Sequence, residues 1–186
     1  MMPALIPAVI LAAGSGRRMG GAKALLELDG ETLLQRAIRI AGTAGFSPLI
    51  AVVGSWDPGP LAVQVLHNAE ADEGMASSIR MGIAALPAEA DRVLLLTVDQ
   101  VSVDPALLRR LLALSTAEPA RPAACAYADT VGIPAVFPRR LFPELMDLNG
   151  DRGAKAILLR EKTATTPFPG GEDDLDTPGD LARIRR

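Results

Sequence analysis

The chain has 186 residues, 49% of them apolar and 3% aromatic, with a formal charge of −3. That length buries one full core and suits one domain over residues 1–186. The acidic balance lacks the basic face of a nucleic-acid binder. The one cysteine, Cys125, excludes an internal disulfide framework or thiolate cluster, and the N-terminal apolar run is too short to span a bilayer.

These limits lead to the expectation of a soluble, cytoplasmic protein whose partner is a small anion rather than a nucleic acid or a membrane. In chain order, Ala8 to Ala12 is a short continuous apolar run, the pattern of a strand covered on both faces. It enters a loop, Gly14 to Lys23, with four glycines, two arginines and a lysine. "ETLLQRAIRIAGTAG" then puts Leu33, Leu34, Ala37, Ile38 and Ala41 on one helical face, with Gly42 or Gly45 ending the helix. "PLIAVVG" reads as a second buried strand, "SWDPGP" as a turn-rich loop and "LAVQVLHN" as a third strand. From Gly74 the chain turns helical, with Met75, Ile79, Ile83 and Leu86 on one side.

"DRVLLLTVDQ" is the strongest strand pattern and is expected to end at Asp99. In "VDPALLRRLLAL", Asp104 caps a helix whose first position is Pro105. "RPAACAYAD" and "VGIPAVF" read as two strands joined at Asp129–Thr130, "PRRLFPELMDL" and "RGAKAILLR" as helical, and "TATTPF" as a strand. In the closing "DLDTPGDLARIRR", Thr177 caps and Pro178 takes the first helical position.

Strands alternating with helices predict an α/β fold with a mostly parallel, twisted sheet in three layers. Ligands of open α/β sheets sit at the carboxyl ends of strands. The Gly14–Lys23 loop, Asn68 and Asp99 each follow a strand and are expected on one rim. The loop itself fails two familiar patterns. A dinucleotide fingerprint matches at Gly14 and Gly16 but meets Met19, and no acidic residue ends the second strand; a P-loop has its spacing in Gly16 and Gly21 but meets Ala22. A different phosphate-binding loop fits better, with glycines admitting backbone N–H groups to an anion and cations facing it. A plain strand-to-helix turn with solvated arginines is the alternative.

"LAAGSGRRMGGAK" followed by "LLELDG" resembles the signature of the nucleotidyltransferases that include the molybdenum-cofactor cytidylyl- and guanylyltransferases. "NAEADEGMASSIRMGI" resembles the family's second nucleotide segment, and "LLLTVDQ" sits where its metal-binding aspartate lies. "GIPAVFPRRLFPELMDLNGDRGAKAIL" resembles its acceptor side, and "DLDTPGDL" its closing metal-side motif. The resemblance implies a Rossmann-like three-layer α/β/α sandwich and nucleotidyl transfer from an NTP to a phosphorylated acceptor. Such chemistry rests on positioning and charge neutralisation; no Ser-His-Asp or Cys-His set is apparent, and His67 is the one histidine.

The resemblance also implies roles. Leu11, Ala12, Ala13, Gly14, Ser15, Gly16 and Lys23 would contact the nucleotide. Lys23 would lie near the α- and β-phosphates, with Arg17 or Arg18 on the leaving pyrophosphate. Mg²⁺, which needs only one or two carboxylates, would sit on Asp99 with Asp176 as partner and Asp174 as a further candidate. Both Asp99 and Asp176 can equally be turn or cap residues. Asn68 can read a base edge. Gly74, Ser77 and Ser78 lie at a helix start, where N–H groups and hydroxyls meet a base or phosphate or simply cap the helix. Arg152 and Lys155 in "NGDRGAK" can hold the acceptor's phosphate, a solvated turn being the alternative. Met146 and Leu148 are expected in the core.

Four residues depart from the family's pattern. Val98 stands where glycine is frequent, Val101 where proline often follows, Ala22 where a polar residue or proline precedes the lysine, and Ile133 where histidine is common. Ala12–Ala13–Gly14 resembles the cytidylyl branch and so favours CTP, with molybdopterin as acceptor and a molybdoenzyme or maturation protein as partner. Two rivals stand beside this reading: a transferase acting on a sugar or polyol phosphate, and a nucleotide- or cofactor-binding maturation protein without turnover, suggested by Val98.

Overall fold

The computed structural model describes residues 5–14, 22–171 and 175. Its strands are β1 (Ala8–Ala12), β2 (Glu27–Leu28), β3 (Glu31–Thr32), β4 (Leu49–Val53), β5 (Gln64–His67), β6 (Arg92–Thr97), β7 (Ala123–Tyr127), β8 (Thr130–Pro138) and β9 (Ala164–Pro167). The α-helices are α1 (Leu33–Ala44), α2 (Met75–Ala84), α3 (Pro105–Ala117), α4 (Phe142–Met146) and α5 (Lys155–Arg160). Seven strands form one sheet in the order β5-β4-β1-β6-β8-β7-β9. Its neighbours pair in parallel except where β8 runs antiparallel between β6 and β7. Among the described residues no helix is long and apolar enough to cross a membrane.

The continuous apolar runs are explained by cover on both faces. Ile10 and Ala12 of β1 pack with Leu34, Ala37 and Ala41 of α1 and Leu107, Leu108 and Leu111 of α3. Val9 and Leu11 pack on the other side with Ile79 and Ile83 of α2, Leu145 of α4 and Ile157 of α5. The result is a Rossmann-like three-layer sandwich. Helix α2 lies so close to β1 that a Cβ at Gly82 would overlap the Val9 side chain.

Local signals place the helix ends. Thr32 and Gln35 form a reciprocal capping box, with backbone-to-side-chain bonds of 3.1 and 2.9 Å, and α1 stops at Gly45 with φ 102°. Asp104 Oδ1 accepts from the Leu107 N–H at 2.7 Å, with Pro105 at the first helical position, as the sequence suggests.

Several expectations shift. Ile40, not Ile38, completes the buried face of α1. Met75 is 40% exposed, with its sulfur beside Gly153, and Leu86 falls after that helix ends. Met146 is exposed rather than in the core. β6 stops at Thr97, so Asp99 belongs to the following turn. The β2–β3 hairpin has strands too short to show periodicity. Its Asp29-Gly30 turn, with φ 53° and 85°, is the type that favours Asp-Gly. The closing cap at Thr177 and Pro178 lies outside the described residues.

Candidate active site

The strand order reverses between β1 and β6: β1 is followed outward by β4, while β6 begins the other half of the sheet. Crevices of this kind, at the carboxyl ends of the strands, are where open α/β sheets take ligands. Register keeps the relevant ends level. Ala12 lies beside Val53, Val53 beside His67, and Leu11 beside Thr97. The residues that follow these strands, Gly14, Asn68 and Asp99, therefore share one rim, as the sequence suggests.

At this rim the Lys23 ammonium donates to Asp99 Oδ2 at 3.4 Å, with the two side chains 16% and 28% exposed. The turn that carries Asp99 is held from two sides: its carbonyl accepts from the Val101 and Leu175 N–H groups, each at 3.1 Å. Leu175 is fully buried against Leu28, Leu33 and Val101, which pins a late stretch of chain onto the Asp99 turn. Asp174 and Asp176 flank Leu175 in the sequence and lie outside the described residues, as do Ser15, Gly16, Arg17 and Arg18. Val98 and Val101 pack into the apolar clusters around this turn.

The side chains of Leu11, Ala12 and Ala13 are buried in the two core layers. Only their main chain is at hand for a ligand. Gly14 is different. It is exposed, its φ is not in the left-handed region, and no atom of the described residues lies within 4 Å of where a Cβ would sit.

Asn68, 2% exposed, donates through Nδ2 to Ser77 Oγ at 2.9 Å and Ser78 Oγ at 3.0 Å, and accepts from the Glu70 N–H at 2.9 Å. Ser77 Oγ lies in donating range of the carbonyls of Glu70 and Gly74, at 3.0 and 2.9 Å. This buried network ties Asn68, Ser77 and Ser78 together and shapes the turn before α2, while the helix N-cap itself is Gly74, with no side-chain cap bond.

Gly74 has φ +124° and ψ −174°, and a Cβ there would sit 2.5 Å from the carbonyl group of Gly150. The segment with Arg152 and Lys155, both exposed, thus lies over the first turn of α2, and Met75 Sδ approaches Gly153.

Three residues that the sequence reading passed over contribute here. Glu73 and Arg80 tie the start of α2 to the turn at Leu148–Gly150. Trp56 packs on Gly54 just after β4, where the Ala13 carbonyl also approaches Gly54, and its buried Nε1–H has no partner among the described residues. A lone tryptophan in a turn-rich loop carries no periodic signal, and a Glu-Arg pair seven residues apart looks like any solvated helix face.

Among the described residues no group of three or more His, Cys, Asp or Glu side chains gathers. One partly exposed carboxylate beside an anion-facing crevice still suits an ion of the Mg²⁺ type, which completes its shell with water and phosphate oxygens. Cys125 has no such role; burial pushes its thiol up to about 12.

A family model described as the MobA-like NTP transferase domain matches residues 8–165. The chain is 32% identical to the molybdenum cofactor guanylyltransferase of Rhodobacter capsulatus, over 96% of this chain and 94% of that protein. It is 30% identical to the nicotine blue oxidoreductase of Paenarthrobacter nicotinovorans, over 96% of each. The crystal structure of Rv0371c from Mycobacterium tuberculosis H37Rv superimposes with a TM-score of 0.81 at 32% identity, covering 98% of both chains. A manganese complex of that protein gives 0.76. With its sheet order, its rim and most of its length accounted for in this way, the chain belongs to the MobA-like NTP transferase family.

Proposed function

We propose that this nucleotidyltransferase moves CMP from CTP onto a phosphorylated acceptor such as molybdopterin, in the cytoplasm and with Mg²⁺ as its divalent ion. An acceptor phosphate oxygen forms a bond to the α-phosphorus, the α–β anhydride bond breaks, and pyrophosphate leaves. The observation that carries this reading is the meeting of Lys23 and Asp99 at the strand-order reversal, 76 residues apart in the chain.

Lys23 neutralises charge on the α- and β-phosphates as the bond breaks, which is where such sites do most of their work. Ser15, Gly16 and the main chain of Leu11, Ala12 and Ala13 line the nucleotide, and the open space at Gly14 leaves room for its backbone to approach. Arg17 or Arg18 takes the leaving pyrophosphate. Asp99, with Asp176 as partner and Asp174 as a further candidate, would hold the ion, which supplies further neutralisation of phosphate charge when bound. Asn68, Ser77 and Ser78 hold the turn before α2 in place, and Arg152 and Lys155 face the acceptor's phosphate. The Ala12–Ala13–Gly14 start supports CTP, while the guanylyltransferase relative makes GTP its competitor.

The rival reading, a nucleotide- or cofactor-binding maturation protein without turnover, turns on Val98, which packs partly buried against the apolar clusters beside Asp99. The test is pyrophosphate release from CTP, GTP, ATP and UTP with Mg²⁺ and molybdopterin. The fastest release is expected from CTP. Nucleotide binding with no release from any of the four would replace the transferase with a binding protein.

A further inference from the structure

We propose that Glu73 and Arg80 are positioning residues that lock the acceptor-side turn onto the first turn of α2, and so hold acceptor and nucleotide at a set spacing. This rests on the reading above that residues 149–155 meet the acceptor. The Arg80 guanidinium makes three bonds. Nη1 donates to the Leu148 carbonyl at 2.7 Å and to Glu73 Oε1 at 2.8 Å, and Nη2 donates to Glu73 Oε2 at 2.6 Å. Glu73 Oε1 also accepts from the Gly150 N–H at 3.3 Å, and the Ala76 N–H donates to the Gly150 carbonyl at 3.1 Å. Three main-chain groups of one turn are thus gripped from α2 and the residue before its cap.

An ordinary exposed pair contributes little by itself. The Glu73–Arg80 pair instead reaches main-chain groups 68 and 77 residues away. Its planar fork, with two nitrogens on two carboxylate oxygens, is a geometry that lysine cannot supply. The helix that carries Arg80 is itself seated on β1 at Gly82 against Val9, and β1 runs directly into the nucleotide loop. Contiguous packing therefore leads from β1 through α2 to the turn that precedes Arg152 and Lys155.

The test compares wild type with Arg80→Met, Glu73→Gln and Arg80→Lys. Amide hydrogen exchange reads the clamp, and pyrophosphate release, with CTP and molybdopterin varied in turn, reads its effect. In the Met and Gln variants, exchange at Gly150 and Ala76 is expected to quicken about tenfold while β1 and β6 stay protected, the signature of a local opening. KM for molybdopterin is expected to rise about tenfold, with KM for CTP within about twofold, a pattern of lost acceptor binding. Arg80→Lys keeps the charge and should restore less than half of the loss. Unchanged exchange at Gly150 would overturn the inference, as would KM values for CTP and molybdopterin that rise together. Wild-type protein that releases no pyrophosphate brings down the transferase reading, and the clamp's acceptor role with it.

Discussion

Replacing Gly74 with alanine tests how tightly the two halves of the site are joined. At φ +124° and ψ −174°, Gly74 occupies backbone space that is essentially glycine's alone, and an alanine held there costs about 1–3 kcal/mol. Its methyl would sit 2.5 Å from the Gly150 carbonyl carbon and oxygen and from Asp151 Oδ1, about 1 Å inside a normal contact. The Asp151 carboxylate can rotate away. The Gly150 main chain cannot retreat without breaking its bonds to the Ala76 N–H and to Glu73, each with a net contribution of about 0.5–1.5 kcal/mol. Strain and lost bonds together come to about 4 kcal/mol, which for a chain of this size lowers Tm by about 8–16 °C. Thermal unfolding followed by circular dichroism measures the drop, and the KM for molybdopterin should rise in the same variant. A Gly74→Ala protein that melts within about 2 °C of wild type and keeps its Gly150 amide protected would refute the close docking of the two segments.

Gly14→Ala is the contrasting case: with open space and ordinary φ it should leave Tm unchanged but weaken CTP binding by calorimetry, and an unaltered Kd would remove Gly14 from the nucleotide contacts. Lys23→Ala removes the cation that meets Asp99, and kcat/KM for pyrophosphate release should fall about 10²–10³-fold while circular dichroism still reports a folded protein; parallel losses of stability and activity would argue for a structural lysine. Asp99→Asn should weaken Mn²⁺ binding, followed by electron paramagnetic resonance, by about tenfold, and an unchanged Kd would exclude it as a ligand. The Arg80 guanidinium and the Gly150 N–H hold the Glu73 carboxyl at about 2 instead of the usual 4.5. A depressed folded value means that the clamp's contribution is complete above about 4.5 and is lost as pH falls through about 2. A carboxyl-carbon NMR titration of Glu73 with a midpoint near 4.5 would show that the fork does not form in solution.

Much of the fold is written in local patterns. The apolar runs of β1, β4 and β6 announce strands covered on both faces, and Asp104-Pro105 marks the start of α3 without help from the rest of the chain. The candidate site was legible to the extent that it depends on strand ends. Lys23 and Asp99 each follow an apolar strand, and parallel strands bring their ends to one rim. Periodicity was a poorer guide at the margins. Met75 fits the apolar spacing of α2 yet stays 40% exposed, since spacing marks a face of the helix but not what covers each turn of it.

Composition and short-range spacing, by themselves, determined the alternation of strands and helices and the rim of the sheet at which Gly14, Asn68 and Asp99 meet. Only the tertiary structure decided that Asn68 spends its hydrogen bonds on Ser77 and Ser78, that Leu175 returns to the Asp99 turn, and that Gly74 is glycine because Gly150 lies against it. The physical reason is range. Capping and amphipathic periodicity act within about a turn or two of the chain, whereas these contacts join segments whose approach is set by the packing of whole layers around one sheet.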